Sequence, residues 1–150
     1  MYPLRLGGPR VKWRTWLRVL AVLLWRWLPV ALWMAWIYWL SDQPNLPHPA
    51  RRLGLSDYLF DYSAHAFTFG LLAALVWRAL VLRRLAQPGG IIMSSGTLAA
   101  LYAVTDELHQ GAVPGRTSSL RDWLADVAGV ALAMVALWLW GRLRPRLARR

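Results

Sequence analysis

Four long apolar runs, separated by short stretches rich in proline, glycine and charge, set the elements of this chain. A run of about 20 apolar residues with few charges is long enough to cross a bilayer as a helix. The first run predicts a span over 25–40, or from about residue 19 if Arg26 is included with its head group reaching back to the interface. Pro29 falls inside it, where membrane helices tolerate proline. Ser41-Asp42-Gln43-Pro44 ends this span, and Pro44, Pro47 and Pro49 predict an extended loop up to residue 55. The second span is expected over 57–82, or from 61, with Asp61 and His65 at its start and Arg78 near its end. Arg83, Arg84 and Pro88-Gly89-Gly90 predict a tight return. The third span is expected over 91–108 and the fourth over 120–140. Ser95, Ala99 and Ala103 recur every four residues in the third, and Ala125, Gly129 and Ala133 in the fourth. Stripes of small residues let helices approach closely. The expected fold is all-α: an integral membrane four-helix bundle.

Upstream of the first span, residues 1–9 hold Pro3, Gly7, Gly8 and Pro9 and should be irregular. From Arg10 a helical period begins, with Arg10, Arg14 and Arg18 on one face and Trp13, Trp16, Leu17, Leu20 and Leu24 on the other. This segment is either a basic amphipathic helix lying on an anionic leaflet or the cytoplasmic end of the first span. The organisation is therefore a basic N-terminal segment (1–24), a four-span domain (25–141) and a basic tail (142–150).

Composition sharpens the picture. The chain has 150 residues, is 57% hydrophobic and carries a net charge of +11. So basic a soluble domain would suggest a nucleic-acid partner, but the long uncharged runs favour a membrane and leave nucleic acid unneeded. Eleven tryptophans suit an interfacial belt. No cysteine is present, which excludes disulfides, thiolate metal sites and thiol nucleophiles. No cleavable signal peptide is evident, because the first apolar run is long and no small-x-small site follows it.

Charge also orients the spans. Arg5, Arg10, Lys12, Arg14 and Arg18 precede the first, Arg83 and Arg84 separate the second from the third, and Arg142, Arg144, Arg146, Arg149 and Arg150 follow the fourth. The opposite side has Arg51, Arg52, Arg116 and Arg121. The positive-inside rule then puts both termini in the cytoplasm. All seven acids (Asp42, Asp57, Asp61, Asp106, Glu107, Asp122 and Asp126) fall at or near the outer side, as do His48, His65 and His109.

The chemistry is densest from Thr105 to Gly129. Ionisable groups at membrane depth are costly and point to function. Asp61 and His65, four apart, share a helix face. They are a metal-ligand pair or an oriented base, or else a dipole-favouring aspartate beside a histidine bonded to a neighbouring helix. Asp106 and Gln110 share a face, with Glu107 pointing elsewhere. Asp106 needs a partner, and Arg116, after the Pro114-Gly115 turn, is the expected one; that arginine either bridges to the carboxylate or binds a phosphate. Ser119 reads as the cap of the fourth span, with Asp122 as its capping-box partner. Asp126 lies one turn deeper on the Asp122 face, where a carboxylate must be paired, protonated or metal-bound. The candidate catalytic set is Asp61, His65, Asp106, Glu107, Asp122 and Asp126. Gln110, Arg116 and Ser119 are candidate ligand-binding residues. Asp61, His65, Asp106, Glu107, His109, Asp122 and Asp126 offer oxygen and imidazole ligands suited to zinc, manganese or magnesium, and of these Asp61, His65, Asp106 and Asp122 are the candidate ligands of a divalent metal. Ser119 as a nucleophile lacks a Gly-x-Ser-x-Gly elbow.

At these residues the chain resembles the VanZ-like family of small bacterial membrane proteins. The matching elements are Asp61 and His65; Asp106, Glu107 and Gln110; Pro114-Gly115-Arg116; Ser119 and Asp122; and Asp126 before Gly129. Ser41-Asp42-Gln43-Pro44 resembles the end of the family's first helix. The resemblance covers about 28–140. Tyr62, Ala112 and Asp126 stand where the family often has lysine, an aromatic residue and asparagine. The resemblance implies a role in the cell envelope, in the bacterial cytoplasmic membrane, linked to resistance against the lipoglycopeptide teicoplanin.

Three functions follow as expectations. The first is an outward-facing site for an anionic ligand, a lipid-linked or cell-wall precursor or a lipoglycopeptide, with membrane lipids as surroundings. The second is a metal-dependent hydrolase or transferase acting on a lipid-linked substrate. The third is a non-catalytic scaffold, in which the carboxylates and Arg116 only lock the bundle.

Overall fold

The computed structural model describes residues 13–44, 56–81 and 88–147. Within them the chain forms four helices and no strand: α1 (Trp13–Ser41), α2 (Asp57–Leu80), α3 (Pro88–Ala112) and α4 (Leu120–Leu147). Helices of this length reach well beyond a hydrocarbon core of about 30 Å, at roughly 1.5 Å per residue. Three of them, over Thr15–Ser41, Asp57–Leu80 and Leu120–Leu143, are long and apolar enough to cross a membrane. α3 has the length, but Ser94, Ser95, Thr97, Thr105, Asp106 and Glu107 lower its mean hydropathy, and it does not join that group.

α2 and α3 form the middle of the bundle and pack against all other helices, whereas α1 and α4 lie on opposite edges and do not pack on each other. The shared core is built from Val30 and Ile37 of α1, Phe69, Leu72, Ala73, Val76 and Ala79 of α2, Ala99 and Ala103 of α3, and Val130 and Met134 of α4. The small-residue stripe of α3 sits where close approach demands it, with Ser95, Ala99 and Ala103 all buried. Outside the core the surface is apolar; Trp16, Trp25, Phe67, Met93, Leu108, Leu120 and Leu132 are each more than half exposed. A surface of that kind belongs in an apolar solvent rather than in water.

Three boundaries differ from the pattern reading. Pro88-Gly89-Gly90 opens α3 instead of forming a return. The missing proline N–H costs nothing in a first turn, where no intrahelical acceptor is available, and its fixed φ suits the helix. At its other end α3 runs to Ala112, four residues past expectation, so Gln110 is helical along with Asp106 and Glu107. α4 continues to Leu147, through residues assigned to the tail. α1 is continuous from Trp13 and shows no break between the N-terminal segment and the span. Residues 1–9, expected to be irregular, Arg10, Lys12, the expected proline loop with His48, Arg51 and Arg52, the Arg83–Arg84 pair, Arg149 and Arg150 lie outside the described residues.

Arginines tie the far end of the bundle together. Arg26 donates to the Ala79 carbonyl at 3.5 Å and the Val81 carbonyl at 3.2 Å, meeting acceptors that the end of α2 leaves open. Arg78 returns the contact to the Trp25 carbonyl at 3.3 Å and lies over the Trp25 ring. Deeper in, Trp33 Nε1 donates to the Thr68 carbonyl at 3.0 Å and the Tyr102 hydroxyl to the Met34 carbonyl at 2.8 Å. α1 is thereby fixed in register against both central helices.

Candidate functional site

The opposite end gathers the C-termini of α1 and α3 and the N-termini of α2 and α4. Two buried polar networks form there. The first joins α1, α3 and the α3–α4 turn around Asp106, which is 5% exposed. Ser41, the last residue of α1, donates its hydroxyl to Asp106 Oδ1 at 2.6 Å. Gln110, one turn on from Asp106, donates through Nε2 to Oδ2 at 2.9 Å. Each carboxylate oxygen therefore has a donor, as a buried carboxylate requires.

The expected direct Asp106–Arg116 bridge is replaced by a relay. Arg116 donates through Nη2 to Gln110 Oε1 at 2.8 Å, so the glutamine stands between cation and anion. Arg116 Nη1 also donates to the Leu40 and Gln43 carbonyls at 3.2 and 3.3 Å, at the negative end of the α1 dipole. The turn before it sets this position. Arg116 N donates to the Val113 carbonyl at 3.1 Å, with Pro114 and Gly115 between them. Gly115 has φ +85, so this is a type II turn, with proline at the second position and the positive φ that glycine tolerates at the third.

The second network joins α2, α3 and α4. His65 Nδ1 lies 2.9 Å from Asp126 Oδ1. Asp126 is fully buried and Glu107 is 6% exposed. Glu107 Oε2 accepts from the Ser119 backbone N–H at 2.7 Å and from the Ser118 hydroxyl at 3.3 Å. Glu107 is thus held by the start of α4, and the helix N-terminus favours its charge. Ser119 performs its expected cap, its hydroxyl accepting from Asp122 N at 3.4 Å, but its own N–H is taken by Glu107, where a capping box with Asp122 was expected. One oxygen of each buried carboxylate, Asp126 Oδ2 and Glu107 Oε1, has no hydrogen-bond partner.

A close helix crossing makes this meeting happen. A Cβ on Gly129 would overlap the Ala66 carbonyl, and one on Gly70 would stand 2.9 Å from the Gly129 oxygen. α2 and α4 therefore touch backbone to backbone, with His65 next to Ala66 and Asp126 almost one turn before Gly129. Only glycine at the crossing brings the two functional groups within hydrogen-bond reach.

A cavity of about 120 Å³ connects the networks. Ser41, Asp106, Gln110 and Arg116 line one side and His65 another, with apolar walls from Ile37, Leu40, Ala64 and Phe69. Three of the five guanidinium N–H groups of Arg116 are used in the bonds above, which leaves two for a ligand.

The grouping differs from the metal set read from the sequence. Among the described residues, those whose ligand atoms lie within 4.8 Å of one another are His65, Glu107 and Asp126. Asp106 is satisfied by Ser41 and Gln110 instead. Asp61 sits one turn before His65 on α2, and Asp122 one turn before Asp126 on α4; neither is in that group, though both are half-buried at the same end. His109 lies apart, stacked on Tyr38 at 4.4 Å with Nε2 3.6 Å from Asp42 Oδ1. Sequence reasoning did not assign Ser41 as the partner of Asp106. It named Glu107 and Asp126 among seven possible ligands but left both out of the narrower set, although the four-residue stripe Ser95, Ala99, Ala103 arrives next at Glu107.

No curated protein and no solved structure shows significant similarity to the chain. The VanZ/LLP1 family model matches residues 20–141, which holds every residue of both networks. The chain belongs to the VanZ/LLP1 family.

Proposed function

We propose that this protein acts in the bacterial cell envelope as a four-span protein of the cytoplasmic membrane, with both termini inside. Its outward cavity binds the anionic headgroup of a lipid-linked or cell-wall ligand, and through that ligand it alters sensitivity to teicoplanin. One observation carries the reading: among the described residues Arg116 lines a small, mostly apolar cavity with two N–H groups unused, while the only carboxylate lining that cavity, Asp106, has both oxygens satisfied. An arginine so placed suits a phosphate or carboxylate, which it can meet with two parallel hydrogen bonds. The walls of Ile37, Leu40 and Phe69 suit the apolar part of a lipid. At about 120 Å³ the cavity is well below the ~300 Å³ at which pockets for whole drug-sized molecules begin. It fits a headgroup, and the antibiotic itself is too large for it.

Charge distribution supports the orientation, because the described Arg18, Arg26, Arg78 and Arg142 lie toward the helix ends remote from the cavity. The length of α3 and its place between α1 and α4 support its crossing with the others, despite its lower hydropathy.

The test is teicoplanin susceptibility in cells expressing the wild type, Arg116→Ala, Arg116→Lys or Arg121→Ala. Arg121 is exposed and serves as the control. The expected result is loss of the phenotype in Arg116→Ala and little recovery in Arg116→Lys, since an ammonium cannot reproduce the planar fork. Full activity of a normally expressed Arg116→Ala protein would sink the assignment.

A hydrolase or transferase is the second reading. The observation favouring it is His65, half-buried on the same cavity and oriented by Asp126, an arrangement suited to moving a proton. Release of inorganic phosphate from a lipid phosphate probe would bring that reading to the front.

A further inference from the structure

We propose that His65, Glu107 and Asp126 form a binding site for one first-row divalent cation, zinc or manganese, beside the headgroup cavity. The inference does not depend on what the cavity binds, because it rests on the second network alone.

The donor atoms are already gathered: one imidazole nitrogen and one oxygen from each carboxylate lie within 4.8 Å of one another. Ligands about 2.0–2.2 Å from one ion stand roughly 3–3.5 Å apart when adjacent around it. The 2.9 Å approach of His65 Nδ1 to Asp126 Oδ1 is close to such an edge. It serves as a hydrogen bond without the ion and closes to a shared coordination edge with it.

The two unpartnered oxygens are the independent sign. Asp126 Oδ2 and Glu107 Oε1 belong to side chains that are 0% and 6% exposed, and neither has a hydrogen-bond donor. Leaving a buried carboxylate oxygen unmet costs free energy, and placing two such carboxylates together adds repulsion. Among the described residues no lysine or arginine forms an ion pair with either. A single divalent cation would neutralise both carboxylates and, bound by both oxygens of each, would also give Asp126 Oδ2 and Glu107 Oε1 a partner.

The supporting contacts are also in place. Ser119 N and the Ser118 hydroxyl hold Glu107 Oε2 and leave Oε1 open, with a Glu107 carboxylate oxygen within 4.8 Å of the His65 and Asp126 ligand atoms. Outer contacts of this kind orient metal-binding carboxylates. One imidazole with two carboxylates suits zinc or manganese better than the all-oxygen shells preferred by magnesium and calcium. Three protein ligands leave coordination positions open, and His65 places the site next to the cavity.

The experiment uses the full-length, tag-free protein in detergent, stripped with chelator, desalted and titrated with zinc or manganese. Metal content is measured after gel filtration, and manganese binding is also followed by electron paramagnetic resonance. The wild type is expected to hold about one ion per chain. Glu107→Gln and Asp126→Asn should each weaken binding by more than the roughly 10–100-fold that loss of an outer contact costs. Asp42→Asn, outside the cluster, should bind as the wild type does. Absence of stoichiometric metal in helical wild-type protein would overturn the proposal and mean that protons hold the two carboxylates together. Undiminished binding in Glu107→Gln would overturn it as well. If Asp126→Asn fails to fold, the wild-type titration and Glu107→Gln still decide.

Discussion

Gly129 shows how much of the site depends on a missing side chain. Its α-carbon lies against the Ala66 backbone, and any Cβ there meets backbone rather than a flexible side-chain tip. Gly129→Ala must therefore push α2 and α4 apart and separate His65 from Asp126. Overpacking of this kind costs about 1–3 kcal/mol, and more where backbone must move. The midpoint of unfolding in detergent should fall for Gly129→Ala and not for Gly141→Ala, where a Cβ meets nothing within 4 Å. Equal midpoints would mean that the crossing is looser than described. At this scale the sequence was partly legible. Asp126 stood out because an acid in an apolar run needs a partner, and Gly129 because it continued a small-residue stripe. The direct Asp106–Arg116 pair was misjudged, since charge complementarity does not register a glutamine one turn away that can accept from one and donate to the other. Ser41 was hidden for a related reason: a serine closing a helix is common, and only the α1–α3 packing makes it the donor to Asp106.

Among the elements, α3 carries the most information and is the helix that falls short of the span-forming three. One face presents Asp106 and Gln110 to α1, and the neighbouring face presents Glu107 to α2 and α4. Adjacent residues on a helix differ by about 100° in direction, so one turn can serve two networks. The periodicity gave the existence and order of all four helices. It ended α3 four residues short, because His109 and Gln110 look like a loop until the buried partners of Gln110 are known. The Pro88 start was missed because Pro-Gly-Gly signals a turn unless the chain beyond it is helical. The proposal that α3 crosses the membrane is open to a direct check, helped by the absence of native cysteine. A membrane-impermeant maleimide on intact cells should label Ala112→Cys and leave Gly89→Cys unlabelled until lysis; both positions are exposed at opposite ends of α3. Labelling of Gly89→Cys in intact cells would overturn the orientation or the crossing.

Across the whole molecule, charge and chemistry separate along the bundle axis. Arg26 and Arg78 tie α1 to the end of α2 at one pole, and the acids, His65 and Arg116 occupy the other. The apolar exterior between them suits lipid contact, and the cavity opens among the helix ends where a headgroup would arrive. Membership of the VanZ/LLP1 family fits this architecture, since the matched region contains both networks and the glycine crossing. The central claim is that Arg116 receives an anionic lipid headgroup, and it is tested most directly by binding in nanodiscs of neutral lipid. A prenyl monophosphate would be titrated into the wild type, Arg116→Ala and Arg121→Ala, with tryptophan fluorescence or isothermal calorimetry as readout. The account predicts saturable binding to the wild type and to Arg121→Ala, and its loss in folded Arg116→Ala. Equal binding by all three proteins would contradict it.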